Sequence, residues 1–310
     1  MQSAGGESPP PLSWDEAFQR YEDYQHTRRT AHSTIASYRR TLRKLREALS
    51  ASASCPAEVQ LDDLRRYQLG LLSRRLAAGT VANATAHIRS FFGFLFLDEL
   101  LERNPAARLA SPRVPPRPPG VVLSPKEMQL LLEAAGSGEH PLIERALLEV
   151  LYCTGVRRGE LLALDLFDID HRERTLFVRA GKGEKPRVLP ITPTCYAALC
   201  AYLEYGRPDL ERRPIQALFL SPRGARMGNI HLMRVLHRLG DRAGLTKRVT
   251  PHCFRRSCAT GLLKNGTNLR VIQAILGHSN LETTSVYLCL NPEEIRNEVL
   301  ARHPRERFEA

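Results

Sequence analysis

The chain has 310 residues, 43% of them hydrophobic, which is enough length and apolar content for two ordinary domains with cores of their own and excludes a wholly disordered chain. Its 45 Lys and Arg against 33 Asp and Glu give a net charge of +12, a balance that suits a polyanionic partner, either nucleic acid or an anionic membrane surface. No apolar run reaches the roughly 18 residues of a spanning helix, and the opening MQSAGGESPPPLSW lacks the basic-then-apolar order of a signal peptide, so an intracellular, cytoplasmic protein with no membrane partner is expected.

Residues 1–12, rich in Ser, Gly and Pro, are expected to be disordered. Helical spacing then takes over in four stretches: Trp14, Phe18 and Tyr21; Ile35, Tyr38, Leu42, Leu45 and Leu49; Leu61, Leu64, Gln68 and Leu71; Val81, Ala84, Ile88, Phe91, Phe92 and Leu95. These predict a four-helix bundle over residues 13–110. The second helix sets Arg39, Arg40, Arg43, Lys44 and Arg46 beside its apolar stripe, which is either a surface for a phosphate backbone or a solvated basic face. Asn104-Pro105 is expected to end the fourth helix, because the residue before proline is pushed out of the helical region. The following SPRVPPRPPG carries five prolines in ten residues and reads as a semi-rigid linker, placed at 111–122.

A second α-rich unit is expected over 123–290. Ser124-Pro125 is a helix start with a Ser cap and proline in the first turn. Ile143, Ala146, Leu147, Val150 and Leu151 predict a buried helix that stops at Gly155, and a new one starts at Arg158, so Arg157 sits at the break. The alternation in TLFVRAGKGEKPRVLPI predicts a β-hairpin with Lys182 in its turn, and hence a small antiparallel sheet in an otherwise mainly α protein. Thr250 and Pro251 open a helix with Phe254, Cys258 and Leu262 as its stripe and His252 and Arg255 together on one flank. Leu269, Ile272 and Leu276 predict a helix ending at Gly277, after which Ser279 or Asn280 caps a short helix carrying Tyr287. In the tail, 291–310, Asn291 and Pro292 start a last helix whose narrow stripe of Ile295, Val299 and Leu300 either docks on another subunit or folds back on its own unit.

The seven cysteines are scattered without a C-x-x-C pair and read as reduced, mostly buried small hydrophobes. A metal site at His252, Cys253 and Cys258 has no second ligand pair at zinc-finger spacing, so neither metal nor cofactor is expected. Opening a phosphodiester without a metal requires a nucleophile, cations on the non-bridging oxygens and an acid for the leaving oxygen. Arg157 and Arg255 suit the cation clamp, since a planar fork matches two phosphate oxygens. Lys182, between Gly181 and Gly183, can approach a leaving oxygen closely.

The segments YCTGVRRGELLAL (152–164), GKGEKPRVLP (181–190), TPHCFRRSCATGLLKNG (250–266) and LGHSNLETTSVYL (276–288) resemble, in order and spacing, the tyrosine recombinases of the Xer and phage-integrase family. The helical N-terminal region resembles that family's SAM-like core-binding domain. The resemblance implies a catalytic set of Arg157, Lys182, His252, Arg255 and His278, with Tyr287 as nucleophile. It implies attack of the phenolic oxygen on the scissile phosphate, a 3′-phosphotyrosyl link and a 5′-hydroxyl leaving group protonated by Lys182, with no ATP or divalent metal. The partners implied are a double-stranded DNA recombination site and further copies, or a related recombinase, making a tetramer on two duplexes in the nucleoid. Glu160 is expected to pair with an arginine and hold the clamp in register. Arg256 departs from the family's frequent histidine and is expected to add a cation that touches DNA. The competing expectations are a relaxing, type IB-like topoisomerase and a catalytically silent DNA-binding protein on the same fold.

Overall fold

The computed structural model describes residues 11–115, 120–179, 186–277 and 292–307. The chain divides into two compact units, Met1–Arg117 and Pro118–Ala310.

In the first unit, helices α1 (Trp14–Thr27), α2 (His32–Leu49), α3 (Leu61–Ser73) and α4 (Ala78–Leu97) build the expected bundle. Ser13 opens α1 with a reciprocal cap, its Oγ accepting from the Glu16 N–H while the Glu16 carboxylate accepts from the Ser13 N–H. Trp14, Tyr21, Leu42, Leu45, Leu64, Ile88, Phe91, Phe92 and Leu95 are buried in one core. Gln68, placed in the stripe of α3 by spacing, is half-buried and donates to Thr85 Oγ1 and to the Ala110 carbonyl.

The end of α4 differs from expectation: the helix stops at Leu97, not at Asn104-Pro105. Glu99 takes a left-handed φ of 56°, and the Leu100 N–H closes the last turn on the Leu95 carbonyl at 2.8 Å. Asn104 instead caps a turn, accepting from the Ala106 N–H through Oδ1.

The second unit contains α5 (Pro125–Gly136), α6 (Pro141–Thr154), α7 (Arg158–Ala163), β1 (Ile169–Asp170), β2 (Thr175–Val178) and β3 (Arg187–Pro190). It continues with α8 (Pro193–Ala201), α9 (Arg207–Leu210), α10 (Asn229–Arg242), α11 (Pro251–Lys264), α12 (Leu269–Leu276) and α13 (Pro292–Arg302). The strands pair antiparallel in the order β1-β2-β3, so the predicted hairpin has a third, two-residue strand at its edge. Leu176, Val178 and Leu189 face the core, while Phe177 and Val188 face solvent, as the alternation requires. The buried helix α6 runs through the middle of this core, and Gly155 ends it with φ 60°. A Cβ there would lie 2.9 Å from Leu276 Cδ2, so this glycine serves both the turn and the approach of α12.

At Thr250 the expected cap is only positional. The residue stands at the N-cap of α11 with extended backbone, but its hydroxyl meets Cys253 Sγ at 3.1 Å and no backbone N–H. The tail lies against its own unit: Val299 is buried in the core of the second unit, and His303 and Arg305 are almost wholly enclosed. His303 Nε2 lies 3.1 Å from the Tyr152 carbonyl, and Arg305 Nε donates to both Glu149 carboxylate oxygens at 2.9 and 3.1 Å. Ile295 and the Asn291 cap fall outside the described side chains. Cys55, Cys153, Cys195, Cys253 and Cys258 are buried free thiols, and Cys200 is half-buried.

Candidate active site

The last carbonyls of a helix have no partner within it and carry the negative end of its dipole. At the end of α12 three of them in a row are each taken by a different arginine. The Ile275 carbonyl accepts from Arg187 Nε at 2.9 Å, the Leu276 carbonyl from Arg255 Nη2 at 2.6 Å, and the Gly277 carbonyl from Arg157 Nη2 at 2.8 Å. Gly277 itself turns left-handed with φ 64° and is the last described residue before His278.

Each arginine reaches this point for a local reason. Arg157 is the N-cap residue of α7, with extended backbone (φ −70°, ψ 153°), because α6 has just ended at Gly155. Arg255 lies in the second turn of α11, is 8% exposed, and also donates through Nη1 to the Gly155 carbonyl at 2.9 Å. It thereby ties the end of α6 to the end of α12. Arg187 opens β3, opposite Val178 on the core-facing side of the sheet.

Among the described residues, Glu160 is the carboxylate that Arg157 and Arg187 share. It is 8% exposed and accepts from the Arg157 N–H at 2.7 Å, from Arg157 Nη1 at 3.0 Å, and from the Arg187 fork at 2.8 and 2.7 Å. Burial pushes its pKa up, but the hydrogen bonds from Arg187 and the Arg157 backbone outweigh this and hold it below the ordinary glutamate value. The bracing arginine that the sequence suggested for Glu160 is thus two arginines.

Arg187 was not singled out from the sequence. A signal was available, because in RVLP it shares its face with Leu189, and a charge on the apolar face of a strand demands a partner.

His252 and Arg255 do not share one environment: His252 is exposed at the first turn of α11 while Arg255 is buried. Three residues advance a helix by about 300°, enough to bring one to the rim and the other under it. Arg256 is exposed and its guanidinium lies against Gly120, where a Cβ would fall 1.7 Å from Nη1. Lys182, His278 and Tyr287 lie outside the described residues. Just after β2, the strand paired with the one that Arg187 opens, Arg179 donates to Asp165 and Asp168. Both carboxylates are nearly buried, and Asp165 also takes Arg226.

On α2, Arg39 forks onto Glu22 and Arg46 pairs with Asp15, both partners on α1. Arg40, Arg43 and Lys44 are exposed and form no ion pair among the described residues. Also among the described residues, no helix is long and apolar enough to cross a membrane.

The chain belongs to the phage integrase family: the family's profile matches residues 121–294, and that of the phage integrase N-terminal SAM-like domain matches residues 18–99. It is 37% identical to the tyrosine recombinase XerD of Mycobacterium tuberculosis, over 90% of this chain and 94% of that protein. It is 36% identical to the tyrosine recombinase XerC of Halalkalibacterium halodurans, covering 88% and 91%. Among solved structures, the Tn1549 transposon integrase in complex with a circular intermediate DNA shares the fold, with a TM-score of 0.70 at 22% identity over 87% of this chain and 92% of that one.

Proposed function

We propose that this chain is a tyrosine site-specific recombinase that cuts and rejoins double-stranded DNA through a 3′-phosphotyrosyl intermediate at Tyr287. The observation that carries this reading is the convergence of Arg157, from the N-cap of α7, and Arg255, from α11, on adjacent carbonyls at the end of α12, next to His278 in the chain. Two planar cations held side by side suit the non-bridging oxygens of one phosphate. The DNA bound in the Tn1549 integrase structure and the recombinase names of the Xer relatives support the same reading.

In this reading Arg157 and Arg255 bind the scissile phosphate and neutralise charge as it builds in the transition state. His278 adds a further donor. The phenolic oxygen of Tyr287 attacks phosphorus, the P–O5′ bond breaks, and Lys182 protonates the leaving 5′-oxygen. His252, exposed at the rim, takes the phenolic proton. A 5′-hydroxyl of another strand then attacks the phosphotyrosine, which restores the tyrosine and reseals DNA. The bond energy stays in the covalent intermediate, so resealing needs no nucleotide hydrolysis. Arg40, Arg43, Lys44 and, with its remaining donors, Arg39 face the DNA backbone from the first unit. Exchange between two duplexes calls for four such sites, hence an assembly of four protomers on DNA.

A duplex nicked near the scissile phosphate loses a short fragment on cleavage and so traps the covalent complex. Wild-type protein is expected to accumulate protein-linked DNA, and Tyr287→Phe to bind the duplex with unchanged affinity yet form none. Covalent product from Tyr287→Phe at the wild-type rate would overturn the assignment.

A further inference from the structure

The site contains a cation that the proposed chemistry does not use. Arg187 is 10% exposed in its side chain, and each of its three guanidinium nitrogens already donates to the protein: Nη1 and Nη2 to Glu160, Nε to the Ile275 carbonyl. It also packs close to Gly277, where a Cβ would stand 3.1 to 3.3 Å from Nη1, Cζ and Nε. A group so occupied is suited to holding other groups.

We propose that Arg187 is a positioning residue for strand cleavage, which locks the Glu160 carboxylate, the Arg157 guanidinium and the end of α12 into one rigid unit without touching DNA. The inference rests on the recombinase reading above. Three elements distant in sequence meet at this one side chain. It opens the strand that follows Lys182 in the chain, forks onto the carboxylate that braces Arg157, and caps the helix after which Gly277 and then His278 follow. The fork fixes both the position and the ionisation of Glu160.

Without Arg187, a buried carboxylate keeps only Arg157 as its cation. Two consequences follow. Arg157 loses its fixed brace and shifts from the phosphate, and Glu160, its burial offset by Arg157 alone, takes up a proton at higher pH than in the wild type, which loosens that brace further. A displacement of about an ångström in a binding group costs on the order of a hundredfold in rate.

The test uses the full chain and single-turnover cleavage of the nicked duplex, with Arg187→Met, Arg187→Lys, Glu160→Gln and the Met and Gln changes combined. Arg187→Met is expected to slow cleavage by roughly a hundredfold, with duplex affinity changed by less than about threefold. Its rate relative to wild type should fall further as pH is lowered, because the Glu160 carboxyl is then protonated at higher pH than in the wild type. Arg187→Lys should restore the wild-type pH dependence and only part of the rate, because a point charge replaces the cation but not the fork. In the Glu160→Gln background the Met change should add less than about threefold, since Arg187 acts through Glu160. Additive losses with an unaltered pH profile would mean that Arg187 merely stabilises the fold, and would overturn the proposal. If Arg187→Met fails to fold, the Lys variant decides, and wild-type cleavage by it overturns the proposal. Tyr287→Phe is run alongside: covalent product there would undo the recombinase reading, whereas wild-type cleavage by Arg187→Met with Tyr287→Phe inert undoes only the role of Arg187.

Discussion

Replacing Arg255 by lysine should slow strand cleavage by roughly a thousandfold, the largest loss expected from any conservative change among the described site residues. Arg255 reaches two carbonyls at once, Gly155 through Nη1 and Leu276 through Nη2, from an almost fully buried position. A planar fork can make these contacts and still turn a donor toward a phosphate; an ammonium group is a single point that can serve one of them. In the proposed mechanism the transition state suffers most, because charge on the non-bridging oxygens grows there and the donors meant for it are fixed in advance. The two carbonyls left without the fork should cost stability as well, about 1–3 kcal/mol if neither finds water. Stability and catalysis are separated by measuring cleavage well below the unfolding midpoint, with DNA binding as the control for a folded protein. Cleavage within about tenfold of wild type would contradict a bidentate role for this residue.

The second large effect is on stability. Arg305→Met should destabilise the second unit by about 3 kcal/mol at neutral pH, because it leaves Glu149 enclosed with only the more exposed Arg145 as partner. Burial already pushes the Glu149 pKa above its ordinary value, against the pull of Arg305 and Arg145. A carboxyl whose folded pKa is raised favours the folded state when protonated, and that contribution is lost as pH rises through the folded pKa. Removing Arg305 raises this pKa further. The deficit of the variant relative to wild type is therefore expected to be greatest at neutral and higher pH and to shrink as pH falls toward the ordinary glutamate range. Urea unfolding of both proteins across pH measures it. A deficit independent of pH would show that packing of the tail, and not the Glu149 charge, carries the effect.

What could be read from the sequence was local. Ser124 with Pro125 announced the start of α5, and the structure gives Ser124 Oγ a bond from the Glu127 N–H and the Glu127 carboxylate a bond from the Ser124 N–H. Gly155 and Gly277 announced helix ends because a left-handed residue there needs no tertiary support. The end of α4 was misplaced for the same reason in reverse: Glu99, a residue with no turn signature, takes the left-handed position before the Asn104-Pro105 signal is reached. Strand β1 is two residues long, too short to carry an alternation.

The site was legible as a set of residue types and not as a set of contacts. That Arg157 and Arg255 are cations was plain, but not that both would be gathered by the unpaired carbonyls at the end of α12. Arg39 looked as available to a phosphate as Arg40, since its partner Glu22 lies on another helix and pairing across helices leaves no spacing to read. Arg187 was overlooked because a basic residue near a basic turn is unremarkable until its strand is known to face inward.

The proposed mechanism joins Tyr287 covalently to DNA, with Arg157 and Arg255 at the end of α12 holding the phosphate. It is tested most directly by trapping the complex on the nicked duplex, digesting the protein and identifying the peptide that carries the nucleotide. The expected result is a peptide containing Tyr287 linked through its phenolic oxygen to a 3′-phosphate, with a free 5′-hydroxyl on the released strand. A link to another residue, or a 5′-phosphate on the released strand, would contradict the account.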